Sequence, residues 1–280
     1  MATVARKHGG RRGSRLTTSL LWALTAATLV PLAVIVLTAL TPGNELTGGF
    51  ALPSHLTGTN FARAWTQGQF GNHLQVSAGV TLSIVLVCGV GSILGGYALG
   101  ALRVPGERFI FPIFLLGIVI PYEALIIPLY YRLRSYGLTD TYWALILPQS
   151  ALSLSFGIFW MRGFFRSVPR SLIEAARIDG ASSLRVLWHI LMPIAAPAIT
   201  TMAILTFMWN WNEFLLPIVM ITTDGRQPAP VALAAFQGRF DSDTTALAAG
   251  ALIVAAPILA LYLALHRRFT GAVLSGAIKG

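Results

Sequence analysis

Charge is what this 280-residue sequence has least of. Asp, Glu, Lys and Arg make up 11% of it and apolar residues 55%, whereas a soluble domain carries about a quarter charged residues. A water-facing surface cannot be built from so few charges. The solvent implied is a bilayer. Cysteine occurs once, at Cys88, which excludes an internal disulfide and suggests no thiolate metal site. Lysine is confined to Lys7 and Lys279, a scarcity that compositional bias explains. Neither lysine sits in a glycine-rich turn, and no G-x-x-x-x-G-K-[ST] string occurs, so the chain is no ATPase by phosphate-loop chemistry. Histidines stand at His8, His55, His73, His189 and His266, all outside the apolar runs, and H-E-x-x-H is missing. The nearest approach to an intramembrane serine nucleophile is "GASS" (Gly180–Ser183), which lacks a second glycine. Enzyme readings therefore find no residues to carry them.

What is present is apolar length. Six runs suffice to cross about 30 Å of hydrocarbon as helices, near Thr18–Leu40, Val76–Leu102, Phe109–Tyr131, Tyr142–Met161, Ile194–Met220 and Ala246–Leu265. The expectation is an all-α integral membrane protein with six transmembrane helices. A basic segment (1–17) precedes a six-span domain (18–280). The first run follows several basic residues, as a signal peptide would, but exceeds the roughly 7–15 residues of a signal core.

The formal net charge is +10. On a soluble chain such a balance points to nucleic acid; here it marks loops. With the N-terminus inside, the inner segments hold 15 of the Lys and Arg residues and the outer segments 5. The positive-inside rule then places both termini in the cytoplasm, with the stretch between spans four and five there too. The longer outer loops, around Thr41–Gln75 and Thr222–Thr245, are rich in Gly, Pro, Asn and Asp and read as turns and short surface elements.

The inner stretch, "RSLIEAARIDGASSLRVLWHILMP" (Arg170–Pro193), is unusually polar for this chain. Ser171 and Glu174 are spaced as a capping box. Gly180 stands where a left-handed residue would close the helix. The spacing predicts a short, separately capped helix over Leu172–Asp179. Ser182 would cap a second helix, Ser183–Leu191, ending at Pro193. Ala175 and Ala176 offer a small, smooth face suited to another protein's groove.

Those residues resemble the EAA loop of ABC-importer permeases. "EAARIDG", nine intervening residues and "ILMP" fall in register with that pattern, with Met192 where the family has Leu. "PYEALIIPLYYRL" (Pro121–Leu133), "GLTDTYWALILP" (Gly137–Pro148), "RGFF" (Arg162–Phe165), "WNWNEFLLP" (Trp209–Pro217) and "SGAIKG" (Ser275–Gly280) resemble its carbohydrate, maltose-type branch. The likeness runs from about Ala51 to Gly280. It implies a multi-pass subunit of a bacterial cytoplasmic (inner) membrane, forming half of a pathway for a sugar or oligosaccharide. Permeases for glycerol phosphate and similar solutes share the pattern. The implied partners are a second homologous permease, two ATPase subunits and a periplasmic or lipid-anchored solute-binding protein. Membrane lipid surrounds the assembly, and nucleic acid has no part. ATP and Mg would be used by the ATPases, with no cofactor or metal on this chain. The coupling loop (162–193) would act as a lever through Glu174, Ala175, Ala176, Asp179 and Gly180, and the tail (269–280) would lie near the ATPases or fray. A stand-alone secondary transporter is disfavoured by the absence of an inverted repeat.

Four residues are candidates for a solute pathway: Trp209, Asn210, Glu213 and Glu123. Charges within a span cost about 2.5–3.5 kcal/mol on insertion scales and commonly face a cavity or partner. Asn210, Glu213 and Pro217 are spaced to share a helix face with Thr206. Equally, the tryptophans suit an interfacial belt, Glu213 suits headgroups or a permease–permease contact, and Glu123 suits a structural role. Gly91/Gly95 and Gly96/Gly100 make small-xxx-small pairs that fit close helix packing. Prolines 112, 121 and 128 interrupt span three as hinges or as tolerated breaks.

Overall fold

The computed structural model describes residues 11–43, 53–102, 104–238 and 243–277, of which 11–16 and 266–277 as helical backbone only. The basic N-terminal residues before Arg11, with Arg103, Arg239 and Ile278–Gly280, lie outside the described residues. Five described helices are long and apolar enough to span a membrane, and six spans result if a bent pair of helices counts as one. They are α1 (Arg11–Leu40), α3 (Phe70–Ala101), the pair α4 (Glu107–Val119) and α5 (Tyr122–Ser135), α6 (Trp143–Ser167), the run Ser183–Trp211, and α12 (Thr244–Ala277). Short helices α2 (Thr59–Gln67), α7 (Arg170–Ile178), α10 (Leu215–Met220) and α11 (Ala229–Ala232) fill connections.

The chain forms two compact units. In the first, made of Met1–Gly68 with Ala235–Leu252, polar side chains tie α2 down. The buried Asn60 amide donates to the Ala39 and Thr41 carbonyls at 2.9 and 2.7 Å, satisfying acceptors that the end of α1 leaves open. Arg63 pairs with Asp243 at 3.2 Å and donates to the Thr245 hydroxyl at 2.8 Å. Burial opposes ionisation of Asp243, but the Ala246 N–H, the Thr245 hydroxyl and Arg63 hold its carboxyl below the usual range.

The second unit, Gln69–Ala234 with Ile253–Gly280, is built on α3 packed against α6. The two run parallel, since Gly91 meets Leu154, Gly95 meets Ile158 and Gly100 meets Phe165. A Cβ on Gly96 would lie 2.5 Å from Met161 Cβ and 2.9 Å from the Arg162 backbone nitrogen, so the small residues permit a close helix approach. Span two starts at Phe70, six residues before the expected Val76.

Span three is broken, not straight. The axes of α4 and α5 differ by 97° at Ile120–Pro121. Pro112 and Pro128 are accommodated inside helices, while Pro121 occupies the N-cap of α5, where its missing N–H is not needed. Ile120 takes an extended conformation (ψ 124°), as a residue before proline prefers.

Span five also departs from expectation. It begins at Ser183, and Pro193 does not stop it. After α8 (Ser183–Arg185) comes a π turn (Val186–Leu191), then α9 (Met192–Trp211), forming one run of 29 residues. The widened turn precedes the proline whose ring would clash in a regular helix, so the helix swells instead of ending. At the other end α9 stops at Trp211, and α10 restarts at Leu215. The Asn210 and Asn212 amides donate to Thr206 O and Met208 O at 2.7 and 2.8 Å. Such bonds compete with continued helix. Glu213 and Pro217 therefore do not continue the helical face of Thr206 and Asn210.

Candidate functional site

Two places on the second unit gather the candidate residues. The first is α7. Ile173 and Ala176 are buried in a cluster with Tyr97, Phe165, Val186, Leu187 and Leu191, drawn from α3, α6 and the π turn. The Tyr97 ring meets Phe165 edge to face at 5.7 Å, and its hydroxyl donates to Ser183 O at 3.0 Å. The helix ends in a Schellman motif. Gly180 has φ +78°, its N–H donates to Arg177 O at 3.0 Å, and the Ala181 N–H donates to Ala176 O at 2.9 Å. Ser182 caps the next helix by accepting from the Arg185 N–H at 3.4 Å.

The capping box does not form. The helix begins at Arg170 behind Pro169, without a side-chain cap, so Ser171 lies within its first turn instead of ahead of it. The two alanines also part company: Ala176 faces the bundle and Ala175 faces outward with Glu174, Arg177 and Asp179. The outward face carries Leu172 and Ile178, the latter 86% exposed. Ile178 was missed in the sequence; only helical phase relative to Ile173 and Ala176 could have singled it out. Beside α7 lies a cleft of about 880 Å³ lined partly by Glu107, Arg166, Arg170, Glu174 and Arg177. Glu107, at the start of α4, pairs with Arg162, whose guanidinium lies over the Phe111 ring, 3.8 Å from its centroid.

The second place is a cleft of about 270 Å³ at the break in span three. It brings together Trp209, Asn210 and Glu213; Glu123 is not among its lining residues and stands exposed in the first turn of α5. Asn210 donates to the Ser153 hydroxyl at 3.0 Å. Glu213 accepts from the Leu216 N–H at 3.0 Å, closing the start of α10, and Tyr122 faces its carboxylate. Phe156 and Trp209 meet edge to face with centroids 4.8 Å apart. Tyr122, Gln149, Ser153 and Phe156 also line the cleft. Sequence spacing could not find them, because the break folds three separate segments together.

Non-helical backbone at membrane depth is tolerated where it lines a cavity. The break in span three lines such a cavity, and a short helix closed by Gly180 is seated on the spans beside it. The structure is similar to a chain of a bacterial ABC transporter that imports the acidic polysaccharide alginate, with TM-score 0.79 at 23% identity over 95% of this chain and 100% of that chain. A second alginate transporter chain, solved with a pentasaccharide-bound periplasmic protein, gives TM-score 0.65 at 16% identity.

The chain belongs to the family of binding-protein-dependent transport system inner membrane components, whose model matches residues 89–270. It is thus a multi-pass inner-membrane subunit of a binding-protein-dependent transport system. The diacetylchitobiose uptake system permease protein NgcG of Streptomyces coelicolor is 31% identical over 272 residues, 96% of this chain and 90% of the relative. The trehalose transport system permease protein SugB of Mycobacterium tuberculosis is 34% identical, over 90% of this chain and 93% of the relative. The melibiose/raffinose/stachyose import permease protein MelC of Bacillus subtilis is 27% identical over 96% of this chain.

Proposed function

We propose that this protein is one of two permease subunits of an ATP-driven importer for a sugar or oligosaccharide, and that α7 couples it to the ATPases. The observation that carries the coupling role is the construction of α7. It is a nine-residue helix, too short to be stable alone in water, yet closed by Gly180 and anchored by Ile173 and Ala176. Anchored so, it can transmit force to the π turn on which it rests. Its outward face, with Leu172, Glu174, Ala175 and Ile178, would meet an ATPase subunit in the cytoplasm. ATP and Mg would be consumed there. The loop charges support cytoplasmic termini.

The relatives' sugars support the solute class. A binding protein would deliver the sugar on the outer side, and a homologous permease would complete the pathway. Copurification tests the assembly. A tagged chain expressed in its native host is expected to bring down a second permease and an ATPase in stable proportion. Recovery of the chain alone, active in solute uptake, would contradict it.

A further inference from the structure

Gln149 sits in the second turn of α6 and is 5% exposed, and it lines the cleft at the break in span three. Its Oε1 has no hydrogen-bond donor among the described residues. Buried amide oxygens are nearly always paired, because leaving one unpaired forfeits its hydration without return. The neighbouring polar groups are already engaged: Asn210 with Ser153, Glu213 with the Leu216 N–H. None of these donates to Oε1, and a ligand that supplies hydroxyl donors would meet that need.

The wall beside it is aromatic, with Phe156 and Trp209 in edge-to-face contact and Trp209 half-exposed. Hydroxyls arranged around an apolar ring match an acceptor next to aromatic faces, and this is the chemistry of a pyranose. The volume of about 270 Å³ lies just under the range of about 300–1,000 Å³ for whole small-molecule sites. One sugar ring fits, not an oligosaccharide.

We propose that Gln149 accepts a hydrogen bond from a hydroxyl of the transported sugar while one ring of it lies against Phe156 and Trp209. This chain then reads the solute itself, and does not leave recognition to the partner permease. The inference rests on the sugar reading above.

The test uses the complete importer in proteoliposomes, with its binding protein and a radiolabelled panel of trehalose, diacetylchitobiose, arabinotriose and maltotriose. Wild-type uptake of at least one is expected. Uptake of none overturns the sugar reading and this inference with it. On the transported sugar, Gln149→Met, which keeps length but removes the acceptor, is expected to lower turnover about tenfold, the worth of one hydrogen bond to a buried group, with complex yield unchanged. Ser150→Ala should transport normally; its hydroxyl is likewise buried and unpaired but does not line the cleft. Turnover by Gln149→Met within twofold of wild type overturns the inference alone. So does a loss that follows complex yield, or one shared by Ser150→Ala, because packing would then explain it.

Discussion

Gly180 closes α7 at φ +78°, a conformation that glycine adopts freely and that proline, fixed near −65°, cannot. Its N–H also donates to Arg177 O. Gly180→Pro removes both the bond and the turn, so ATP-driven uptake should be lost while the protein still reaches the membrane. Immunoblotting of membranes alongside uptake checks this, and normal uptake would contradict the coupling role. Asp140 is a second residue with a backbone peculiarity, at φ 59° in the loop between α5 and α6. Its carboxylate accepts from the Thr223 hydroxyl at 2.6 Å, from the Thr223 and Thr222 N–H groups at 2.9 and 3.0 Å, and from Arg226 at 3.3 Å. The Thr223 hydroxyl foremost, with those N–H groups and Arg226, pulls its pKa down to about 2 from 3.8. A depressed native value means the clamp is fully in force above pH about 3.8 and is lost as pH falls through about 2. Stability should therefore not change through Asp140 between pH 7 and 5. Asp140→Asn should lower the thermal midpoint of the detergent-solubilised protein at pH 7. An unchanged midpoint would contradict the clamp.

At the scale of elements, the α3–α6 pair is the most closely packed. At Gly96 even a methyl group meets backbone, so Gly96→Val must push the helices apart. The expected result is a misassembled or rapidly degraded protein, measured as loss of the monodisperse peak in fluorescence size-exclusion. A normal peak would contradict the packing. The close-packing face of α3 was legible in the sequence, because small residues four apart carry their own meaning; its partner α6 was not. The end of α7 was legible too, because a left-handed turn has a local cause in Gly180. The start of α7 was not: Ser171 and Glu174 have capping spacing, but Pro169 begins the helix earlier. Nor was the course of span five. Pro193 reads locally as a stop, and a π turn packed into the cluster around α7 overrides it. In span three, three prolines were equal candidates for a break, and the structure breaks at Pro121 while Pro112 and Pro128 stay within helices. The cleft at the break in span three was half-legible. Trp209, Asn210 and Glu213 are neighbours in sequence, while Gln149 and Phe156 join them only through the fold.

For the molecule as a whole, the run Ser183–Trp211 connects the two candidate sites. Its 29 residues span roughly 40 Å at 1.5 Å per residue. One end carries the π turn on which α7 is seated, and the other supplies Trp209 and Asn210 to the cleft. On the proposed reading, a push on α7 would be delivered along one helix to the place where the solute would lie. This account requires α7 to face the cytoplasm, where ATP is hydrolysed. Cys88, the chain's one cysteine, is fully buried, so Ile178→Cys introduces the single reactive thiol among the described residues. Labelling it with a membrane-impermeant maleimide is the most direct measurement. The account predicts reaction in inverted vesicles stripped of ATPase, protection when ATPase is added back, and no reaction in intact spheroplasts; labelling of spheroplasts from outside would contradict it.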